Sequence, residues 1–167
     1  PPGRAWLWVV GSLHAASRAQ LAALQAAGAA GVYLERVGDA SAAAPDLSAV
    51  LRALDQGRPA FIANAPGAPL APREASRALG QATARALAAA APDVLAVTGG
   101  ETAYAVLQSV GATRLDLLGA PSSGLALGAL TIAGSPPPDG RVLPLLAKAG
   151  GFGAPDLFLT LLETRAA

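Results

Sequence analysis

Short apolar runs alternate with longer amphipathic stretches along the first two-thirds of the chain. Residues 5–10 (AWLWVV) form an unbroken apolar run, the pattern of a strand covered on both faces. Residues 17–27 follow as a helix, with Leu21 and Leu24 at helical spacing and Gly28 as a stop. Residues 31–34 (GVYL) read as a second strand, and residues 45–55 as a helix with Leu47, Val50, Leu51 and Leu54 on one stripe. A third strand is predicted at 59–63 (PAFIA), then a long helix at 72–91 with Pro72 suited to its first turn. A fourth strand at 93–97 (DVLAV) leads into a helix over 101–110 that ends at Gly111. Beyond it the rhythm changes. Residues 114–118, 125–133 and 141–146 read as strands without long helices between them, and 134–140 (GSPPPDG) as a loop. Residues 152–164 predict a closing helix, with 164–167 fraying. The pattern predicts a three-layer α/β domain with a largely parallel, mixed sheet and a β-rich C-terminal part.

Composition narrows the classes of function. The 167 residues, 53% hydrophobic and 14% charged, suit a single domain over 1–167 with one substantial core. A net charge of +1 with 4% aromatics and no basic block gives no nucleic-acid footprint. Cysteine is absent, and His14 is the one histidine, which excludes disulfides and zinc sites built from His and Cys. No apolar run approaches the roughly 20 residues that cross a bilayer, and the opening residues lack a signal-peptide pattern. The expected location is cytoplasmic.

Two glycine clusters stand where a strand is predicted to hand over to a helix. Thr98-Gly99-Gly100-Glu101-Thr102 follows the fourth strand. Ligands of parallel sheets gather beyond the carboxyl ends of strands, where helix N-termini offer free N–H groups to phosphate. The plainer reading is a tight turn, with Thr98 capping the helix and Glu101 completing a capping box. The second cluster, Lys148-Ala149-Gly150-Gly151-Phe152-Gly153, contains the only lysine of the chain. A compact ammonium can sit beside phosphate as a point charge, and neighbouring glycines can form a nest of N–H groups. Lys148 on a solvated loop is the alternative. At a third junction, Ser12 can bond a nucleotide or satisfy local backbone, and His14 beside it reads as a surface residue rather than a base. Neither a GxxxxGK[ST] loop nor a GxGxxG fingerprint after the first strand is present.

The order and spacing of these junctions resemble the C-terminal nucleotide-binding domain of the four-carbon acid sugar kinases, a family once labelled a domain of unknown function. The resemblance runs through VVGS at 9–12, Gln20-Leu21, VTGGETAYAVLQSVG at 97–111, GLALG at 124–128 and KAGGFG at 148–153 with Asp156 and Leu157 after it. It implies phosphorylation of threonate, erythronate or oxo-tetronates by ATP, and the charge neutralisation that phosphoryl transfer needs makes Mg2+ an expected cofactor. It also implies ATP contacts at Ser12, at Gly99, Gly100, Glu101 and Thr102, and at Gly150. Lys148 and Gly151 join that set through the nest reading. Many relatives carry Asp where Glu101 stands, and a Ser-x-x-Thr pattern where this chain has His14 and Ser17. Glu101 or Asp156 are candidates to help hold the metal. The DDxTGA-type sequence of the family's N-terminal, sugar-acid-binding domain does not occur in these residues.

The leading expectation is therefore an ATP-binding kinase domain that is inactive without that N-terminal partner, supplied in cis or in trans; a homodimer is a further expected assembly. A stand-alone nucleotide or small-anion sensor is the alternative, and a pyridine-nucleotide domain the third reading. If both clusters cradle one nucleotide, they must converge in space, and Ser12 must open onto the same crevice.

Overall fold

The computed structural model describes residues 5–34, 44–67, 72–133 and 141–164. The loop expected at 134–140 and the terminus at 165–167 lie outside the described residues. The elements run β1 (Trp6–Val10), α1 (Ala15–Ala26), β2 (Ala30–Leu34), α2 (Ser48–Asp55), β3 (Ala60–Asn64) and α3 (Pro72–Ala89). They continue with β4 (Val94–Thr98), α4 (Gly100–Ser109), β5 (Ala112–Gly119), β6 (Leu125–Ile132), β7 (Arg141–Lys148) and α5 (Leu157–Thr164). One seven-stranded sheet has the order β2-β3-β1-β4-β7-β6-β5. The first five of these are mutually parallel; β6 runs against β7, and β5 against β6. The expected three-layer, mostly parallel domain with a β-rich end is what the chain forms.

Every residue of β1, β3 and β4 is buried, as continuous apolar runs demand of strands covered on both faces. Successive side chains of a strand point to opposite faces. Leu7 and Val9 therefore join Val50 of α2, Leu79 of α3 and Val106 of α4 in one core. Trp6, Trp8 and Val10 join Leu21 and Leu24 of α1 and Phe158 of α5 in the other. Trp8 stacks on Phe158 with ring centroids 4.0 Å apart. Burial of such aromatic and aliphatic side chains contributes about 1.5–3 kcal/mol each, which makes these two layers the main support of the sheet. Helix α3 packs closely on α4 through Gly80, where a Cβ would stand 2.6 Å from the Ala105 carbonyl oxygen.

The element ends differ from the sequence expectation where side chains bond backbone. Helix α1 begins two residues early because the His14 imidazole Nδ1 accepts the Ala16 N–H at 3.2 Å. Helix α2 begins three residues late, after Asp46 accepts the Ser48 N–H at 2.9 Å. Strand β7 continues to Lys148, and α5 starts only at Leu157, leaving a loop between them.

Candidate nucleotide site

Parallel pairing fixes where the functional turns lie. Val10 pairs with Thr98, and Thr98 pairs with Lys148, so β1, β4 and β7 end level on the same edge of the sheet. Val10 also pairs with Ala63 of β3, which brings Asn64 to that edge. Helix α1 leaves β1 on one face and α4 leaves β4 on the other. Adjacent strands whose connections part to opposite faces open a crevice beyond their carboxyl ends, the position where such sheets bind ligands.

The three junctions read from the sequence meet in this crevice. The Gly99 N–H donates to the Lys148 carbonyl at 2.9 Å, which joins the two glycine clusters directly. A Cβ on Gly150 would stand 2.5 Å from Ser12 Oγ, and one on Gly151 would stand 3.1 Å from His14 Nε2. Ser12 Oγ itself accepts the His14 N–H at 3.2 Å. Gly99 occupies the N-cap of α4 with φ 91° and ψ 133°, a conformation that a side chain would strain. No side chain caps this helix. The capping-box alternative therefore fails: Thr98 is wholly buried within β4, and its hydroxyl has no hydrogen-bond partner. The first N–H groups of α4 are left for solvent or ligand.

Two hollows flank Gly99 and Gly100. One, of about 270 Å³, is bordered by Gly11, Ser12, Asn64, Ser76 and the 99–102 turn. The other, of about 480 Å³, is bordered by Gly124, Leu125, Ala126, Ala103 and the 147–149 segment. The two glycines line both. Asn64 is a residue that sequence reasoning missed. Its side-chain oxygen is buried without a partner at the border of the first hollow, while its Nδ2 reaches the Gly11 carbonyl at 3.5 Å. Its signal was positional, since it closes the PAFIA strand as Ser12 and Gly99 follow theirs.

Lys148 is 4% exposed, and its ammonium is turned inward. Nζ donates to the carbonyls of Ala149 at 2.8 Å, Phe152 at 2.9 Å and Gly150 at 3.2 Å, with Ser17 Oγ at 3.4 Å. Burial pulls its pKa below the ordinary lysine value, and the carbonyls act in the opposite direction by favouring the charged form. Thr102 is buried against Gly11. Glu101 is exposed in the first turn of α4 and borders the first hollow, while Asp156 borders neither hollow. No group of three or more His, Cys, Asp or Glu side chains is gathered among the described residues. Mg2+ is commonly held by one or two carboxylates together with substrate phosphates. Glu101, exposed at the border of the first hollow, is a carboxylate whose chemistry fits that role. No helix among the described residues is long and apolar enough to cross a membrane.

Fold and crevice together define a mostly parallel α/β domain with a switch-point crevice at the carboxyl ends of its strands. The chain belongs to the family of nucleotide-binding C-terminal domains, which matches residues 7–158. It is 36% identical over 162 residues to a D-threonate kinase of Bordetella bronchiseptica, covering 92% of this chain and 38% of that protein. A solved structure described as a domain of unknown function (DUF1537) from the same organism, with bound citrate and as a domain-swapped dimer, superposes with a TM-score of 0.70. That match has 32% identity and covers 96% of this chain and 39% of the other. A protein of Salmonella typhimurium described as a putative tRNA synthase shares the fold, with a TM-score of 0.60 at 19% identity over 96% of this chain and 40% of that one. The chain thus spans about two-fifths of the relatives it matches.

Proposed function

We propose that this chain is the ATP-binding part of a kinase for four-carbon sugar acids of the threonate, erythronate or oxo-tetronate type. The observation that carries the proposal is the meeting of Ser12, Gly99 and Gly150 at one switch-point crevice. The D-threonate kinase relative supports the substrate class. In this reading the phosphates lie across the α4 N-terminus and the 149–153 loop. The flanking hollows take the nucleoside on one side and the acceptor on the other.

Phosphoryl transfer asks a protein mainly to position its reactants and to stabilise the charge that develops on them. Here the N–H groups at the start of α4 bind and orient the phosphate chain, and Ser12 Oγ offers a hydroxyl to the same oxygens. Glu101 would help hold Mg2+, which would supply positive charge against the phosphates. Recognition of the sugar acid belongs to a separate N-terminal domain, in cis or in trans, and the chain alone is inactive. A homodimer is the further assembly we propose to test, because the Bordetella relative is described as a dimer.

Calorimetric titration tests the nucleotide reading. ATP and ADP with Mg2+ are expected to bind and to raise the melting temperature by mass action, while NAD does not. The absence of any shift at millimolar nucleotide would defeat the assignment. Release of ADP dependent on threonate, from the chain alone, would show that no second domain is required. Nucleotide binding with no turnover after a sugar-acid-binding partner is supplied would favour a sensor.

A further inference from the structure

The loop between β7 and α5 is held with its carbonyls facing inward. The Gly150 carbonyl accepts from Ser17 Oγ at 2.6 Å, in addition to its Lys148 contact. The carbonyls of Phe152 and Ala154 each accept from Gln20 Nε2 at 2.9 Å, and Lys148 Nζ shares the Phe152 oxygen. Together with Ala149, four carbonyls of one short loop are claimed by three buried side chains. A trans peptide sets its N–H opposite to its C=O. The peptides after Ala149, Gly150 and Phe152 therefore turn the N–H groups of Gly150, Gly151 and Gly153 outward. None of the three donates to an acceptor among the described residues, whereas the Phe152 N–H closes a turn on the Ala149 carbonyl at 3.1 Å. The fourth inward carbonyl precedes Pro155, which has no N–H to present.

We infer that Lys148, Ser17 and Gln20 are positioning residues that invert this loop, so that three glycine N–H groups form an anion nest on its outer side. The inference rests on the nucleotide reading and deepens it. Ser17 and Gln20 are 0% exposed, so neither reaches a bound ligand. The lysine ammonium carries three protons and faces three carbonyls and a hydroxyl, which leaves no proton to give a phosphate. Turning any of these carbonyls outward would strand a buried donor, a loss of the kind that keeps such networks in one arrangement. The lysine's charge beneath the nest also adds to the positive potential that outward N–H groups create.

Gln20→Leu, Ser17→Ala and Lys148→Met test the inference, with ADP and adenosine affinities measured by calorimetry. Amide shifts of Gly150, Gly151 and Gly153 are followed as inorganic pyrophosphate is added. Each variant is expected to weaken ADP by about tenfold or more, the equivalent of roughly 1.4 kcal/mol, and adenosine by less than about twofold. Each is also expected to suppress the pyrophosphate shifts seen in the parent chain. Ser17→Ala removes one hydroxyl only and keeps the test open where Lys148→Met does not fold. Loss confined to Lys148→Met, with parental ADP affinity in the other two, would make the lysine a direct ligand and overturn the inference. Equal loss of ADP and adenosine would reduce all three residues to general structural support and also overturn it. Glycine shifts with pyrophosphate but no nucleotide binding by the parent would sink the nucleotide reading alone. The variants' pyrophosphate shifts would then decide the loop. Unshifted glycine amides in the parent would end the inference.

Discussion

The turn at 98–102 and the loop at 148–154 offer a ligand the same groups, backbone N–H donors, from opposite constructions. In the first, the donors are free because any helix leaves its opening N–H groups unpaired, and a single glycine angle aims them. In the second there is no helix start. Buried side chains from α1 and β7 hold the peptides by their oxygens. One turn therefore depends on the backbone angle at Gly99, while a Cβ on Gly100 beside it meets open space. The other is sensitive to polar atoms lost far from it in sequence.

The largest effect expected is that of Gly99→Ala. Holding alanine near φ 91° costs about 1–3 kcal/mol, measurable by urea denaturation. Relaxation of the turn is expected to lower ADP affinity by more than about tenfold, or roughly 1.4 kcal/mol. Unchanged stability would remove the glycine angle from the comparison. Gly80→Ala serves as the contrast: overpacking against the Ala105 carbonyl is expected to cost a similar 1–3 kcal/mol, roughly. Its ratio of ADP to adenosine affinity should stay at the parental value, and a changed ratio would mean that stability loss alone imitates damage to the site.

Gly100→Ala separates fold from ligand. No heavy atom lies within 4 Å of its Cβ position, so stability should change by less than about 0.5 kcal/mol. ADP affinity should still fall several-fold, because the methyl group occupies the approach to the helix start; undiminished affinity would move the phosphates elsewhere. Asn64→Ala removes an oxygen that has no partner in the fold, so stability should move by less than about 1 kcal/mol. Nucleotide affinity should drop about two- to fivefold, up to roughly 1 kcal/mol, and no change in calorimetry would exclude Asn64 from the site.

The smallest effect concerns a helix start remote from both turns. The backbone and hydroxyl of Ser48 hold the Asp46 carboxyl below its ordinary value. A lowered folded pKa adds stability above the ordinary carboxylate range, and this is lost as pH falls through the folded value. Asp46→Asn should flatten only that acid limb of the denaturation profile and leave ADP binding at pH 7 untouched.

The strands were legible because unbroken runs such as AWLWVV and PAFIA have few other stable placements than a sheet covered on both faces. The convergence of TGGET and KAGGFG was legible too, since parallel strands deliver their carboxyl ends to one edge. The inward direction of the Lys148 side chain was not. Its direction depends on β7 extending to pair with Thr98 and on Ser17, 131 residues away in sequence. Gln20 stood out only as part of the resemblance, with Leu21, and nothing local announced that its amide would serve Phe152 and Ala154. Element ends shifted for the same reason, as with His14 at the start of α1. Apolar periodicity sees cores, whereas long-range bonds from side chains to backbone leave no period to read.

The stacking of Trp8 on Phe158 has an optical consequence. Both tryptophans of the chain lie on β1, and Trp6 stacks on Trp8 with centroids 5.3 Å apart. Phe158 opens α5 a few residues beyond the glycine loop. The Phe158 ring covers Trp8, so a ligand that shifts the loop and α5 with it is expected to change the surroundings of that indole. Tryptophan emission is therefore expected to change as nucleotide is added, and an unchanged spectrum at saturating ADP would show that the indoles do not sense the crevice.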